Sequence, residues 1–192
     1  MNLESLYYGQ NREDKWIAEN LPLPDKGFYV DIGCGHPFTT SNTAFLRDRK
    51  WDGLAIDANP AWANEWKDIP AFQCAIIAND PEVRFKINHD NAYWSREDEN
   101  GPWCKAENVE EFLDRHQVTK IDFLSVDTEG TEFDVLWHFN FQKHSPSIVV
   151  AEYNAAHIPI VEPEYSRIPD LMRANGYKLN KVFPPVNMIF SK

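Results

Sequence analysis

Tyr29-Val30-Asp31-Ile32-Gly33-Cys34-Gly35, followed by Leu54-Ala55-Ile56-Asp57, is the stretch that decides the fold. It reads as an apolar strand, a glycine turn, a short helix and a second strand ending in a carboxylate, which is half of a nucleotide-binding α/β domain. The glycines let the chain turn sharply and bring bare backbone N–H groups against a ligand, and a carboxylate ending the next strand can accept both hydroxyls of a ribose. His36-Pro37-Phe38 then breaks G-x-G-x-x-G where the third glycine would pack helix against strand beneath a pyrophosphate. A dinucleotide is therefore disfavoured. S-adenosylmethionine has a ribose and an adenine but no phosphate, so two carboxylates and a bare turn would serve it. The alternative is an ordinary strand-turn-helix corner.

The 192 residues fit one domain spanning 1–192, and a content of 43% hydrophobic and 14% aromatic residues can fill its core. Met1-Asn2-Leu3-Glu4-Ser5 carries neither a basic patch nor a long apolar run, and no later segment approaches the ~20 apolar residues of a membrane span. The expectation is a soluble protein without a secretory signal. Cys34, Cys74 and Cys104 are odd in number and far apart, which suits neither a disulfide framework nor paired metal ligands and points to a reducing cytoplasm. With 30 acidic against 19 basic residues the formal net charge is −11, so the chain would repel a nucleic-acid backbone. Neither nucleic acid nor a membrane is expected as a partner.

Element types alternate along the chain. A helical lead-in over 3–20, within 1–26, is broken by Pro22-Leu23-Pro24. Strands are predicted over 28–31, 54–57, 72–77, 121–127 and 147–152, with helices over 43–50 (N-capped by Ser41 or Asn42), from Asn59-Pro60, and through Val109-Phe112-Leu113-His116 and Phe133-Leu136-Trp137-Phe141. Val83 to Ile87 alternates as a half-exposed antiparallel strand should, whereas 88–106 shows no period and reads as a long functional loop. Leu171 and Met172 mark a last helix, and 177–183 with 186–190 form a closing hairpin. Strands alternating with helices imply an α/β fold with a parallel sheet, to which the hairpin adds an antiparallel edge strand. Asp31, Asp57, Asp127 and Glu152 all end strands at the edge where such sheets hold ligands.

These residues carry a resemblance. Gly27 to Gly33, His36-Pro37-Phe38, Ser41-Asn42-Thr43, Trp51-Asp52-Gly53 and Ile56-Asp57-Ala58-Asn59-Pro60 resemble the FkbM family of S-adenosylmethionine-dependent methyltransferases. Tyr8-Gly9-Gln10 with Glu13-Asp14-Lys15-Trp16-Ile17 resembles the family's lead-in. Ile121 to Glu132 resembles its D-x-E-G-x-E signature, and Gly176-Tyr177 and Asn187-Met188-Ile189-Phe190 its closing strands. The departures are Lys50, where a glycine is common, and 88–106, where no likeness is found. The resemblance implies a Rossmann-like class I methyltransferase fold, a seven-stranded, mostly parallel sheet with an antiparallel last strand, and O-methylation of a hydroxyl on a sugar or natural product. It further implies that Asp31, Gly33 and Gly35 cradle the methionine portion of S-adenosylmethionine, that Asp57 holds the ribose, and that Ala58, Ala75 and Ile76 flank the adenine. Ser41 and Asn42 would close the turn. Gln10 and Asp14 would fold over the cofactor or else cap the sheet edge.

Methyl transfer asks the protein to align an acceptor oxygen and take its proton. Asp127 and Glu129, directly after a central strand, are the first candidates for that base; His36 is the second, its alternative role being to fix the turn beside Pro37. Asp127 with Glu152 and Asn154 could instead supply oxygen ligands to Mg²⁺. In the 88–106 loop Tyr93, Trp94 and Trp103 lie among carboxylates and amides, a mixture that suits a carbohydrate acceptor, unless these aromatics only pin the loop. A small oxidoreductase is disfavoured by Pro37-Phe38. A silent S-adenosylmethionine-binding protein would be expected to lose the acids that are present here.

Overall fold

The computed structural model describes residues 7–76, 82–87, 94–96, 103–153, 163–184 and 187–192. In chain order the elements are α1 (Glu13–Asn20), β1 (Phe28–Ile32), α2 (Ala44–Asp48), β2 (Asp52–Asp57), α3 (Pro60–Ala63), β3 (Ala71–Gln73), β4 (Ala75–Ile76), β5 (Glu82–Ile87), β6 (Trp94–Arg96) and β7 (Trp103–Glu107). They continue with α4 (Val109–Arg115), β8 (Phe123–Val126), α5 (Glu132–His138), α6 (Phe141–His144), β9 (Ile148–Glu152), α7 (Pro163–Ala174), β10 (Lys178–Phe183) and β11 (Asn187–Ser191).

Seven strands form one sheet in the order β10-β11-β9-β8-β1-β2-β3. Its faces follow the two-residue period of extended chain. Val30, Ile32, Leu54, Ile56, Leu124, Val126, Val149 and Ala151 pack on one side with Phe112, Leu113, Val135, Leu136 and Met172 from α4, α5 and α7. Tyr29, Phe123, Ile148, Val150 and Ile189 pack on the other with Ile17 of α1 and Phe45 and Leu46 of α2. Both faces are thus covered, and β8 and β9 are buried at every position.

The antiparallel strand is β11, and it does not lie at the edge. It pairs with β9 on one side and β10 on the other, so that β10 forms the border and runs parallel to the rest. Polarity decides the placement: β11 is buried throughout, whereas β10 carries Lys178, Asn180 and Lys181, the kind of strand that can border water without recruiting another.

Three further expectations change. Over residues 7–12 the lead-in is not helical, residues 3–6 of the expected helix lying outside the described residues: α1 begins at Glu13, because the Asp14 carboxylate accepts the N–H groups of Tyr8 and Gly9 and Arg12 takes a left-handed φ of 65°, folding 7–12 back as a turn. The expected strand over 72–77 divides at Cys74 into β3, in the main sheet, and β4, in a second sheet of order β4-β7-β5-β6. That second sheet claims part of the supposed loop 88–106. In β7 the buried positions are Cys104 and Ala106 while Trp103 faces outward, so an alternation judged by hydrophobic size runs against the actual one. The antiparallel reading of Val83 to Ile87 agrees with β5, which pairs antiparallel with β6 and β7.

Gly33 positions the site. Its φ is +78°, and a Cβ there would lie 1.6 Å from the carbonyl oxygen of Asp127, so the ends of β1 and β8 approach as closely as they do only with glycine at this point. Gly35, at φ +55°, would meet only the Thr40 hydroxyl, at 3.4 Å. Gly33→Ala should therefore cost upwards of about 4 kcal/mol or prevent folding, and Gly35→Ala about 1–2 kcal/mol. Urea unfolding of the two variants checks this, and comparable losses would contradict it.

Candidate functional site

At the carboxyl edge of the sheet, the turn after β1 is built inward. The N–H groups of Gly33 (2.8 Å) and Cys34 (3.1 Å) both donate to the carbonyl of Ile56, and that of Gly35 donates to Asp57 Oδ2 at 2.9 Å. The expectation of bare N–H groups facing a ligand is thus corrected: all three are committed to β2. The turn is braced from outside by Trp66, whose Nε1 donates to the Gly35 carbonyl at 3.0 Å. Arg47 lies against the rings of Phe38, Trp66 and Tyr8.

Asp57 closes β2. Its Oδ1 accepts the Asn59 N–H at 2.8 Å, and burial lifts its pKa to about 6 against the pull of the two backbone donors. Asp31 lies on the neighbouring strand, fully enclosed, with Thr43 Oγ1 donating to it at 2.6 Å. Burial raises it to about 6 as well, the hydroxyls of Thr43 and Ser125 opposing and the charge of Asp57 reinforcing. Ser41 Oγ accepts the N–H groups of Thr43 and Ala44 in the turn ahead of α2, whose cap position is Thr43 rather than the expected Ser41 or Asn42; Asn42 is buried, its Oδ1 without a partner among the described residues.

One strand further along, Asp127, Glu129 and Glu152 each bring a carboxylate oxygen to within 4.8 Å of the others. β8 and β9 place the first and third side by side, since Val126 pairs with Ala151 in the parallel register. Asp127 and Glu152 thus lie close enough for each carboxyl group to act on the proton equilibrium of the other. Burial raises both well above the usual carboxylate range, and the charge of Asp127 raises Glu152 further. Glu129 reaches this group from a loop in which it adopts φ 57°, a costly conformation for a residue with a side chain.

The remaining expected residues divide. Ala58 and Ala75 meet in a small apolar cluster with Cys104 and Ala106, whereas Ile76 turns into the main core. Gln10 is exposed on the N-terminal turn, and the Asp14 carboxylate is occupied by the N–H groups of Tyr8, Gly9 and Lys15. His36 packs edge-on to Phe38 and Trp62, and its Nδ1 accepts the Phe38 N–H at 3.2 Å, so the neutral ring carries its proton on Nε2 as a donor. Cys34 is buried and its thiol is pushed well up by that burial, in keeping with a space-filling role. Trp103 is 56% exposed on β7. Tyr93 and Asn154 lie outside the described residues, as does the side chain of Trp94. Sequence reasoning missed Thr43, Ser125, Trp66 and Glu132, which act only by bracing the acids and the turn; the final glutamate of D-x-E-G-x-E was the one available signal.

The family model for the methyltransferase FkbM domain matches residues 31–179. Among solved structures, the fold is similar to that of a methyltransferase FkbM from Methylobacillus flagellatus KT, with a TM-score of 0.59 and 14% identity over 91% of this chain and 46% of that one. The chain thus spans less than half of that protein. A fibrillarin from Aeropyrum pernix, in complex with natively bound S-adenosyl-L-methionine, is similar at a TM-score of 0.53 and 14% identity, over 98% of this chain and 76% of that one. At these identities the likeness is one of fold. No curated protein sequence matches the chain significantly.

The raised pKa of Asp57 has a thermodynamic consequence. The folded protein holds this proton more tightly than the unfolded chain, so the stability it contributes is full below about pH 4 and is lost as pH rises through about 6, a change of roughly 3 kcal/mol at most. Wild type should gain stability relative to Asp57→Asn between pH 7 and pH 5, measured by urea unfolding at each pH. A difference that stays constant with pH would contradict this.

Proposed function

The chain belongs to the FkbM methyltransferase family, and on that premise we propose that it transfers the methyl group of S-adenosylmethionine to a hydroxyl of a sugar or small natural product. The observation that carries the reading is the convergence of Asp127, Glu129 and Glu152 at the ends of β8 and β9, beside β1 with Asp31 and with Asp57 on β2 beyond it. The donor set fits the cofactor by charge. With the N–H groups of Gly33, Cys34 and Gly35 committed to β2, the turn offers nothing to a pyrophosphate, while the carboxylates suit ribose hydroxyls, an ammonium and a sulfonium.

S-adenosylmethionine supplies an electrophilic methyl group, and the chain's residues do the rest by position and proton transfer. Asp57 would accept from the ribose hydroxyls. Asp31, held by Thr43, keeps negative charge beside the glycine turn. Asp127 and Glu129 take the acceptor's proton, a contribution of ~10²–10⁴-fold for a well-placed base. A neutral polyol suits a chain of net charge −11 better than a phosphate backbone does, and the buried free cysteines fit a reducing cytoplasm. No helix among the described residues is long and apolar enough to cross a membrane. Trp103, exposed beside the cluster that contains Ala58 and Ala75, offers a flat face to a sugar.

One observation favours a second reading. The three carboxylate oxygens within 4.8 Å form a hard-ligand set of the kind Mg²⁺ accepts together with a substrate hydroxyl, Glu129 joining the expected Asp127 and Glu152 while Asn154 lies outside the described residues.

Turnover and S-adenosylmethionine affinity, measured separately with methyl glycosides as acceptors, test these roles. Asp127→Asn and Glu129→Gln should lower kcat at least tenfold with cofactor Kd nearly unchanged; a fall in kcat with a parallel rise in cofactor Kd would assign the acids to cofactor binding. Trp103→Ala should raise KM for the glycoside and leave cofactor Kd and Tm unchanged, whereas a lower Tm with normal KM would make the ring structural. Activity that is lost in EDTA and restored by Mg²⁺ would support the second reading.

A further inference from the structure

Glu129 is delivered to Asp127 and Glu152 by a loop that its own conformational preference opposes. It sits at φ 57° and is followed by Gly130 at φ 111°, two left-handed residues in succession, of which only the glycine adopts this region without strain. Something must hold the loop. Glu132, the first residue of α5 and 6% exposed, has its carboxylate turned back onto it. Oε1 accepts the Thr128 N–H at 2.8 Å, the Thr128 hydroxyl at 3.2 Å and the Gly130 N–H at 2.9 Å, and Oε2 accepts the same Gly130 N–H at 3.1 Å. Thr131 Oγ1 donates to the Thr128 hydroxyl at 2.8 Å and ties the clamp to the start of the helix.

The amides on either side of Glu129 are therefore gripped by one carboxylate. With Thr128 and Gly130 fixed, the residue between them has little choice of φ and ψ, and its side chain is directed toward the other two acids. Hydrogen bonds from neutral N–H groups to an ionised carboxylate are among the stronger ones available to a loop, and they can offset the strain of a left-handed glutamate. We propose that Glu132 is a positioning residue that holds Glu129 in its working conformation, an inference that rests on the reading of Glu129 as part of the acceptor's base. Glu132 does not touch the acceptor in this arrangement; it acts through the loop. The signature D-x-E-G-x-E thereby divides into two acids for chemistry, a glycine for the turn, and one acid for its geometry.

Crystal structures and kinetics of Glu132→Ala and Glu132→Gln test the proposal, with S-adenosylmethionine and methyl glycosides as substrates. In Glu132→Ala, Glu129 should leave the left-handed region, kcat should fall at least about tenfold, and the Kd for S-adenosylmethionine should stay within about twofold. Glu132→Gln keeps one carbonyl acceptor and should recover part of the loss. In a Glu129→Gln background, adding Glu132→Ala should cost little more, because the residue it positions is already disabled. Glu129 remaining near φ 57° in Glu132→Ala would overturn the proposal, as would an equal loss of kcat in both backgrounds. Unchanged kcat in Glu129→Gln alone is a different result: it would remove Glu129 from the chemistry and overturn the catalytic reading beneath.

Discussion

Three strand ends are pinned at one point, and the site depends on it. The carbonyl of Ile56 takes the N–H groups of Gly33 and Cys34, the Asp127 N–H donates to the carbonyl of Ile32 at 2.8 Å, and the Gly33 α-carbon passes so close to the Asp127 carbonyl that no side chain fits between them. β1, β2 and β8 are thereby locked together where their carboxylates emerge. Asp31, Asp57 and Asp127 owe their mutual placement to that contact more than to any bond among themselves.

Gathering acids in this way is costly, since each buried carboxylate loses water that its neighbours replace only in part. The structure shows how the cost is met. Asp57 draws on two backbone donors, Asp31 on two hydroxyls and Glu132 on the loop amides. A sulfonium and an ammonium brought by the cofactor would offset the rest. Acids stabilised this incompletely favour the proposed cofactor site over a purely structural cluster.

Much of this was legible in the sequence, because strand ends and turns are written locally. The alternation of Tyr29 and Val30 across the two cores, and Asp31, Asp57, Asp127 and Glu152 at strand ends, follow from patterns a few residues long. What failed was non-local. Whether β11 lies inside β10 depends on which strand can face water, and β7 hides its period by burying Cys104 and Ala106 beneath an exposed Trp103. Asp14, readable either as folding over a cofactor or as capping the sheet edge, is taken up by the N–H groups of Tyr8 and Gly9, and Trp66 reaches Gly35 from 31 residues away, a distance no local pattern spans.

On the proposed reading, this acid-lined edge and its inward-bonded turn take a cationic, phosphate-free cofactor. Calorimetric titration of the protein at neutral pH with S-adenosylmethionine and with NAD tests it most directly. Saturable binding of S-adenosylmethionine and no detectable heat with NAD is the expected result. Binding of NAD in preference would contradict the claim, because the N–H groups of Gly33, Cys34 and Gly35 would then have to leave β2 to hold a pyrophosphate.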